Sequence, residues 1–283
     1  MKTKYSCFIF ILFAFYSCSI HKQLSVNNNQ LLNLKSQKIF KQELQLIIDS
    51  SNVDGSILVY DPQKQLYYSN NFKWAEIGKL PASTFKIPNS IIALETGIVK
   101  NEKTIFKWNG EKRKLAVWEK DLSFQEAFHL SCVPCYQEIA KKLGVRRMKD
   151  FLLKFNYGKM EVDSNTIDLF WLEGDSKINQ FQQIDFLMRF YNSELSIKKR
   201  TERIMKGLII IDHNASYTVS GKTGWSIRNG NNNGWFVGYI ESDAKHWFFA
   251  INIEPHQAFN MDMFPMIRKE IAIKGLKVLG IIK

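Results

Sequence analysis

The stretch Pro81-Ala82-Ser83-Thr84-Phe85-Lys86-Ile87-Pro88-Asn89 opens the helical part of this chain. Ser83 lies three residues before Lys86, and residues three apart on a helix share a face, so the hydroxyl and the amine can meet. A serine hydroxyl is a weak nucleophile that needs a base, and a lysine serves only when burial lowers its pKa. The apolar neighbours of this pair favour burial. Alone, the pair more often marks a solvated helix face than a catalytic site.

The segments around this stretch predict an α+β fold. Strand patterns lie at 55–60, 65–69, 216–221, 234–240 and 246–253. Helical apolar patterns lie at 83–96, 133–143, 146–155, 180–193, 198–210 and 264–278. Strands near both ends with helices between them predict one mainly antiparallel sheet, flanked by terminal helices, beside a mostly helical subdomain.

Composition places the chain among globular proteins and does not indicate a nucleic-acid partner. Its 283 residues include 39 Lys and Arg against 27 Asp and Glu, a formal net charge of +12, and 45% are hydrophobic. A chain of this length and hydrophobic content can bury a sizeable core. The basic residues are scattered rather than gathered in a basic helix or an aromatic RNA-binding motif. We interpret them as a solvated surface that also attracts anionic small molecules.

The N-terminus has the pattern of an export signal. Lys2 and Lys4 precede an apolar run over 7–16, which is too short to span a bilayer stably. Two ways of processing this signal stay open: ordinary cleavage near 17–19, and lipid attachment at Cys18. A lipid on Cys18 is the one membrane attachment that we expect. We therefore expect an exported, periplasmic protein. The predicted organisation is a signal peptide at 1–18, a polar tether at 19–45 and a single folded domain at 46–283.

Cys132 and Cys135 form a Cys-x-x-Cys pair outside the export segment. The strand that precedes such a pair in thioredoxin-like redox sites is missing. Packing near a helix start is therefore the favoured interpretation, and a disulfide is the alternative in an oxidising compartment. No second Cys or His pair at ligand spacing accompanies them, so we expect no metal site.

Further motifs follow Ser83 and Lys86 in a fixed order. They are Ser131-Cys132-Val133, Phe170-Trp171-Leu172-Glu173-Gly174 and Lys222-Thr223-Gly224. Over residues 50–283 the chain resembles the class D serine β-lactamases, the oxacillinase family. Ser-x-x-Lys, a second serine motif and Lys-Thr-Gly are shared by the penicillin-recognising serine enzymes. Ser-x-Val and the Phe-Trp-Leu-Glu-Gly segment favour class D. The resemblance implies the serine β-lactamase/penicillin-binding fold, hydrolysis of small-molecule β-lactams and antibiotic resistance.

The resemblance also implies a role for each motif residue. Ser83 would be the nucleophile, and Lys86 would carry a carbamate (N6-carboxylysine) made with carbon dioxide or bicarbonate, with no diffusible cofactor. Ser131 and Lys222 would complete the catalytic set by moving protons and placing charge. The backbone N–H groups of Ser83 and Trp225 would form the oxyanion hole. Supporting roles fall to Trp171 and Val133 beside the carbamate, and to Thr223, Gly224 and Arg268 in substrate binding.

Two other functions stay open from the sequence. One is a β-lactam sensor domain that is acylated without turnover, and the other is a penicillin-binding D,D-peptidase. The sensor is disfavoured because the chain has no His-Glu-x-x-His protease motif, and the peptidase because of Trp171. One departure concerns Tyr157-Gly158-Lys159, where the family has Tyr-Gly-Asn, and it puts substrate preference in doubt. Glu173 is not expected to be the hydrolytic base.

Overall fold

A seven-stranded sheet organises residues 36–283, the part of the chain that the computed structural model describes. Its strands lie in the order β1-β3-β2-β9-β8-β7-β6, and β4 and β5 form a separate pair. Every pairing is antiparallel except β1 with β3, so the predicted mainly antiparallel sheet is confirmed. The strands are β1 (Gln37–Phe40), β2 (Val53–Asp61), β3 (Leu66–Ser69), β4 (Ile105–Phe106), β5 (Leu122–Ser123), β6 (Ile210–His213), β7 (Thr218–Arg228), β8 (Asn231–Ser242) and β9 (Lys245–Pro255).

Helices cover both faces of this sheet. The α-helices of residues 36–283 are α1 (Gln42–Ser50), α2 (Phe72–Ala75), α3 (Lys86–Glu95), α4 (Phe124–His129), α5 (Val133–Leu143), α6 (Val145–Phe155), α7 (Gln180–Tyr191), α8 (Lys199–Leu208) and α9 (Phe264–Val278). The terminal helices α1 and α9 pack on one face. The helices between them form the predicted helical subdomain against the other face.

Alternation along the central strands explains why both faces are apolar. On β2, Ile57 and Val59 pack with the terminal helices, while Leu58 and Tyr60 pack with the helical subdomain. Successive side chains of a strand point to opposite faces, so a strand buried on both sides is a continuous apolar run. Each fully buried aliphatic side chain contributes about 1.5–3 kcal/mol.

The folded domain begins earlier than the predicted boundary at residue 46. The strand β1 and the first four residues of α1 lie inside the proposed 19–45 tether, and Leu44 of α1 is fully buried. The strand β1 gains its hydrogen bonds from β3, a distant segment, so its own sequence carries little signal. The predicted signal peptide at 1–18, the lipid site at Cys18 and residues 19–35 lie outside the described residues. Within 36–283, no helix has the length and apolar character needed to cross a membrane.

The remaining element boundaries differ from the predictions by small shifts with clear causes. The predicted helix at 83–96 is a 3-10 turn at Ala82–Phe85 followed by α3, and Gly97 follows its end with a positive φ of 74°. The predicted helix at 198–210 stops at Leu208, because Ile210–His213 pairs with β7 as the edge strand β6.

Candidate active site

The nucleophile candidate lies in the 3-10 turn rather than in the helix itself. A 3-10 helix has three residues per turn, so side chains three apart lie above one another. Lys86, the first residue of α3, accordingly donates a hydrogen bond from Nζ to Ser83 Oγ at 3.0 Å. Ala82 adopts a left-handed φ of 51°, and its N–H donates to the Trp171 carbonyl at 2.8 Å. The sequence therefore correctly predicted the meeting of the Ser83 hydroxyl and the Lys86 amine.

Burial changes the chemistry of Lys86. Its side chain is 1% exposed, and loss of hydration lowers its pKa to about 7. Among the salt bridges of residues 36–283, none gives Lys86 a carboxylate partner. Its ammonium lies 4.9 Å from the centre of the Tyr136 ring. A substantial fraction of the amine is therefore neutral near pH 7, and a neutral amine is nucleophilic.

Trp171 supplies a buried donor that lacks an acceptor. Its indole is fully buried and stacks on Phe85 with ring centres 5.5 Å apart. Within the part of the chain described, the Trp171 Nε1–H has no hydrogen-bond partner. An unsatisfied buried donor costs about 1–3 kcal/mol. This wall of the site thus fits a group that brings an acceptor oxygen.

The second motif joins α4 to α5 and meets the third motif. Ser131 has a left-handed φ of 54°, and Lys222 Nζ donates to Ser131 Oγ at 2.5 Å. Burial is the main cause that lowers the pKa of Lys222 well below its usual value, and the positive charges of Lys86 and Arg268 add to it. Val133 is the half-buried first residue of α5. Ser131 and Lys222 are therefore brought together as expected.

Cys132 and Cys135 form a disulfide, so the favoured interpretation of two packed thiols is wrong. Their Cα atoms are 5.5 Å apart, inside the range that a disulfide spans. Cys132 is the N-cap of α5 and Cys135 lies in its first turn. The residue spacing allowed both states, and the backbone geometry at the helix start decides between them.

The N–H of Trp225, the expected second oxyanion donor, belongs to the edge strand segment of β7. The strand β6 pairs with β7 only at Thr218–Ser220, and the Gly221 N–H donates to Ile209, so the edge is open from Lys222 onward. Residues two apart on a strand point their N–H groups to the same side. The N–H of Trp225, four residues after Gly221, therefore points to this open edge. The Trp225 indole is engaged elsewhere, donating to Asn232 at 2.8 Å.

Gly224 lets β7 lie against the nucleophile turn. A Cβ at this position would lie 3.1 Å from both the Pro81 oxygen and Thr84 Cγ2. Such distances are tighter than ordinary van der Waals contact. Gly224 therefore permits close contact between β7 and the turn that carries Ser83. The predicted close approach to a ligand remains a prediction, as does the role of the half-buried Thr223 beside it.

Arg268 reaches this edge from α9. Its Nη1 donates to the Gly224 carbonyl, and its Nε and Nη2 donate to Phe264 and Pro265 at 3.0 and 3.3 Å. Three of the five guanidinium N–H groups are thereby used, which leaves two for a ligand. Burial lowers its pKa to about 10, so the group stays charged at neutral pH.

The altered Tyr157-Gly158-Lys159 motif keeps its backbone geometry. Tyr157 is buried, and Gly158 has a φ of 57° with its Cα against the Lys177 carbonyl, where a Cβ would lie at 2.6 Å. The Lys159 side chain is 79% exposed and pairs with Glu161 at 2.9 Å. The extra charge therefore lies on the surface. Glu173 is exposed as well, consistent with leaving it out of the catalytic set.

Two residues of the site were not predicted from the sequence. Tyr136 holds its ring under the Lys86 ammonium, and its OH shares a 2.7 Å hydrogen bond with Ser90. Gly234 makes room for Arg268, because a Cβ there would lie 2.8 Å from Arg268 Cδ. Tyr136 lies in the predicted helix at 133–143 and Gly234 in the predicted strand at 234–240, but neither belongs to a motif that indicates a role in the site. Among residues 36–283, no cluster of three or more His, Cys, Asp or Glu side chains is placed to hold a metal ion.

Comparisons with known proteins agree with this geometry. The family model of the penicillin-binding protein transpeptidase domain matches residues 47–271. β-Lactamase OXA-48 of Klebsiella pneumoniae is 40% identical over 217 residues, which cover 77% of this chain and 82% of that protein. β-Lactamase OXA-10 of Pseudomonas aeruginosa is 39% identical over 233 residues, covering 81% and 86%. The chain belongs to the class D β-lactamases.

Solved class D β-lactamases share the whole fold. The enzyme of Sebaldella termitidis superimposes with a TM-score of 0.83 at 35% identity, over 88% of this chain and 99% of that one. The class D enzyme FUS-1 (OXA-85) of Fusobacterium nucleatum gives 0.81 at 35% identity, over 87% and 100%. The expected family and the expected serine β-lactamase/penicillin-binding fold are both confirmed. This class D β-lactamase is a serine hydrolase by membership of that enzyme class.

Proposed function

We propose that this class D β-lactamase hydrolyses β-lactam amides through a Ser83 acyl-enzyme, with a carbamate on Lys86 as the general base. The observation that carries the proposal is the buried Lys86 amine, with its pKa near 7 and its Nζ 3.0 Å from Ser83 Oγ. Only a neutral amine adds to carbon dioxide, and burial supplies that form. Hydrolysis of β-lactams by the exported protein would confer antibiotic resistance.

The residues around Lys86 fit such an anion. A carbamate would supply a base that accepts the Ser83 proton and later activates the hydrolytic water. A buried anion requires donors, because an unpaired charge out of water is costly. The orphaned Trp171 Nε1–H is a donor of this kind, in a buried cluster that includes Phe85, the residue directly before Lys86. Val133, packed partly against that cluster, would limit the access of bulk water.

Several groups of the site each carry out one step of acylation. Ser83 Oγ attacks the lactam carbonyl carbon, and the resulting oxyanion accepts from the N–H groups of Ser83 and Trp225. Removing one donor of this type typically costs about 100-fold to 1,000-fold in kcat. The lactam C–N bond then breaks, and Ser131, hydrogen-bonded to Lys222, passes a proton to the leaving nitrogen. Water next attacks the ester carbonyl and releases Ser83.

Substrate binding uses the positive charge at the β7 edge. The carboxylate that accompanies the β-lactam ring would accept from the two free guanidinium donors of Arg268 and from the hydroxyl of Thr223. Planar guanidinium groups suit carboxylates because they donate two parallel hydrogen bonds. The carbonyl contacts to Gly224 and Phe264 keep Arg268 in place for this contact.

Turnover measured with and without bicarbonate tests the proposal. Purified protein is assayed against a penicillin, a cephalosporin and a carbapenem in buffer freed of carbon dioxide, and again after bicarbonate is added. We expect repeated turnover, with activity that rises on addition of bicarbonate and between about pH 6 and 8, as Lys86 loses its proton. A ¹³C-bicarbonate NMR spectrum should show one carbamate resonance.

Variants separate this function from the other candidates. Lys86→Ala should lose about 100-fold to 10,000-fold in kcat and the carbamate resonance, whereas Lys274→Ala, which removes an exposed lysine of α9, should change neither. A stable Ser83 adduct without repeated product release would instead show a β-lactam sensor. Sustained turnover without bicarbonate would contradict the carbamate.

We propose that the protein acts outside the cytoplasm. The support is the pattern of a short basic region and an apolar run within residues 1–18, followed by a polar segment. Mass spectrometry of the mature protein from the periplasm would give its first residue and any lipid on Cys18. An intact N-terminus in the cytoplasmic fraction would contradict export.

A further inference from the structure

The Cys132–Cys135 disulfide lies inside the second catalytic motif, and the mechanism above gives it no role. Cys132 stands between Ser131 and Val133, and the bond to Cys135 closes the first turn of α5. The two cysteine side chains are 1% and 7% exposed. The covalent link therefore sits directly beside the serine that contacts Lys222.

We propose that this disulfide is a positioning device that holds Ser131 in its catalytic conformation, which makes hydrolysis sensitive to the redox state of the pair. The proposal rests on the proposed function, because it takes the proton relay through Ser131 and Lys222 from there. It adds a pair of positioning residues to the reaction and a way in which the reaction responds to thiols.

The backbone of Ser131 needs such a constraint. A non-glycine residue in the left-handed region is strained, and the strain persists only where the surroundings fix the backbone. On its N-terminal side, the Ser131 N–H donates to Phe128 at 3.1 Å and the Cys132 N–H donates to Ala127 at 2.8 Å. These contacts fix Ser131 to the end of α4. On its C-terminal side, the start of α5 must be held equally firmly.

The cap of α5 is weak without the covalent bond. Helix starts are normally capped by the side-chain oxygen of Ser, Thr, Asp or Asn. Here the acceptor is Cys132 Sγ, which takes the Cys135 N–H at 3.3 Å, and sulfur is a weak acceptor. In the closed ring of residues 132–135, the disulfide supplies the rigidity that an oxygen cap supplies elsewhere. A reduced pair would leave Ser131 between a fixed α4 and a loosely capped α5.

Reduction is an ordinary thiol–disulfide exchange. A thiolate of an external dithiol attacks one cysteine sulfur, the Cys132–Cys135 bond breaks, and a mixed disulfide forms. The second thiol of the reductant then displaces the protein sulfur. The protein gains two electrons and two protons, and the reductant leaves as its own disulfide. A disulfide oxidant such as oxidised glutathione reverses the exchange, and an exported protein meets oxidising conditions.

Three variants test the positioning role. Cys135→Ala removes the bond and leaves the weak thiol cap, and we expect kcat about tenfold lower, the size of a lost backbone constraint of this kind. Cys132→Ser combined with Cys135→Ala installs an oxygen cap without the bond and should restore most of kcat. Ile139→Val, which trims a buried side chain of the same helix, is the control for lost packing and should keep kcat within about twofold.

A fourth comparison distinguishes positioning of Ser131 from general damage. In a Ser131→Ala protein, Cys135→Ala should cause no further loss of kcat, because the group that the disulfide positions is absent. Circular dichroism checks folding of every variant. If Cys135→Ala does not fold, the wild-type protein treated with a dithiol under native conditions gives the same comparison, with free thiols counted by alkylation and mass spectrometry.

Different outcomes test the positioning role of the disulfide and the proposed function. Wild-type kcat in Cys135→Ala, equal losses in the presence and absence of the Ser131 hydroxyl, or free thiols in the wild-type protein oxidised with glutathione would each overturn the positioning role. Absence of turnover in the oxidised wild-type protein would instead contradict the proposed function. A loss in Cys135→Ala that the serine cap rescues and that vanishes in Ser131→Ala supports the proposal.

Discussion

Trp171 is the side chain that the proposed Lys86 carbamate would need as a hydrogen-bond donor. Its fully buried ring stacks on Phe85, and its orphaned N–H has no acceptor among the described residues, so packing and hydrogen bonding can be tested separately. Trp171→Phe keeps an aromatic ring and removes the donor. We expect a loss of about 10-fold to 100-fold in the rate of deacylation, since a hydrogen bond to a charged group contributes about 1.5–3 kcal/mol. Acyl-enzyme accumulation in rapid-quench mass spectrometry is the measurement.

Without bicarbonate, the same variant should affect stability differently. There the Trp171 N–H has no acceptor, so its removal relieves an unsatisfied buried donor that costs about 1–3 kcal/mol, and this gain offsets the packing lost with the larger ring. Trp118→Phe is a suitable control, because the buried Trp118 indole already donates to the Leu130 carbonyl at 3.0 Å. Its loss should cost stability irrespective of bicarbonate. Bicarbonate dependence in Trp171→Phe identical to wild type would contradict the proposed role.

Lys159 tests whether the departure from the family motif matters. Its ammonium is on the surface and paired with Glu161, and exposed ion pairs contribute about 0–1 kcal/mol. Lys159→Asn, which restores the family residue, should therefore leave kcat/KM within about twofold for each β-lactam tested. A larger change in the ranking of substrates would show that the motif acts on the pocket at a distance.

At the residue level, the motifs predicted which catalytic candidates meet, but they did not predict the residues that pack around them. Ser83 and Lys86 meet because their three-residue spacing fixes the local geometry, whereas the meeting of Ser131 with Lys222 was expected only from the resemblance to the family. Tyr136 was not predicted, because its contact with Lys86 joins two helices that are far apart in sequence. No local pattern encodes such a contact.

At the level of elements, the site depends on β7 lying against the 3-10 turn. Gly224→Ala would place a Cβ 3.1 Å from the Pro81 oxygen and Thr84 Cγ2, so the strand or the turn must move. A shift of about 1 Å at reacting groups can cost about 100-fold in rate. We expect kcat to fall about 10-fold to 100-fold in steady-state assays, with a smaller effect on stability.

The same substitution elsewhere provides the matched control. Gly207 lies in α8 with no atom within 4 Å of an added Cβ. Gly207→Ala should stabilise the protein by about 0.5–1 kcal/mol, because alanine favours a helix, and it should leave kcat unchanged. A Gly224→Ala enzyme as active as Gly207→Ala would show that the contact with the turn does not hold the site together.

Elements with their own hydrophobic pattern were predicted, and elements defined by a distant partner were not. The helix α9 was predicted over 264–278 and is found at Phe264–Val278, because its apolar positions follow the helical period. The strands β1 and β6 are short edge strands whose burial patterns are mostly exposed or intermediate. Their hydrogen bonds come from β3 and β7, so sequence patterns assigned them to a tether and to a helix end.

At the level of the whole molecule, the site gathers positive charge in the interior. Lys86, Lys222 and Arg268 are 1%, 5% and 6% exposed, and the charges of Lys86 and Arg268 both lower the pKa of Lys222. A buried cation without an anion costs folding free energy. The two apolar layers on either side of the sheet supply the stability that tolerates this cluster. An anion bound on substrate or formed at Lys86 would relieve the repulsion.

This arrangement predicts a rise in stability with pH. The pKa of Lys86 is about 7 in the folded protein and 10.5 when the side chain is exposed, as in the unfolded chain. Between these two pH values the unfolded chain therefore binds more protons than the folded protein. The free energy of unfolding therefore increases with pH across that window. Lys86→Met removes the titrating group. In buffer without carbon dioxide, the wild-type protein should gain about 2 kcal/mol relative to Lys86→Met between about pH 7 and pH 9, measured by urea unfolding.

Other titrating groups are present in both proteins, so the difference isolates Lys86 and its coupling to Lys222. Lys274→Met, with its lysine exposed on α9, should show no such change relative to the wild-type protein. With bicarbonate the slope should flatten, because a carbamate removes the amine from the titration. A constant difference between wild type and Lys86→Met from about pH 7 to pH 9 would mean that Lys86 keeps an ordinary pKa, and the neutral amine on which the carbamate depends would be absent.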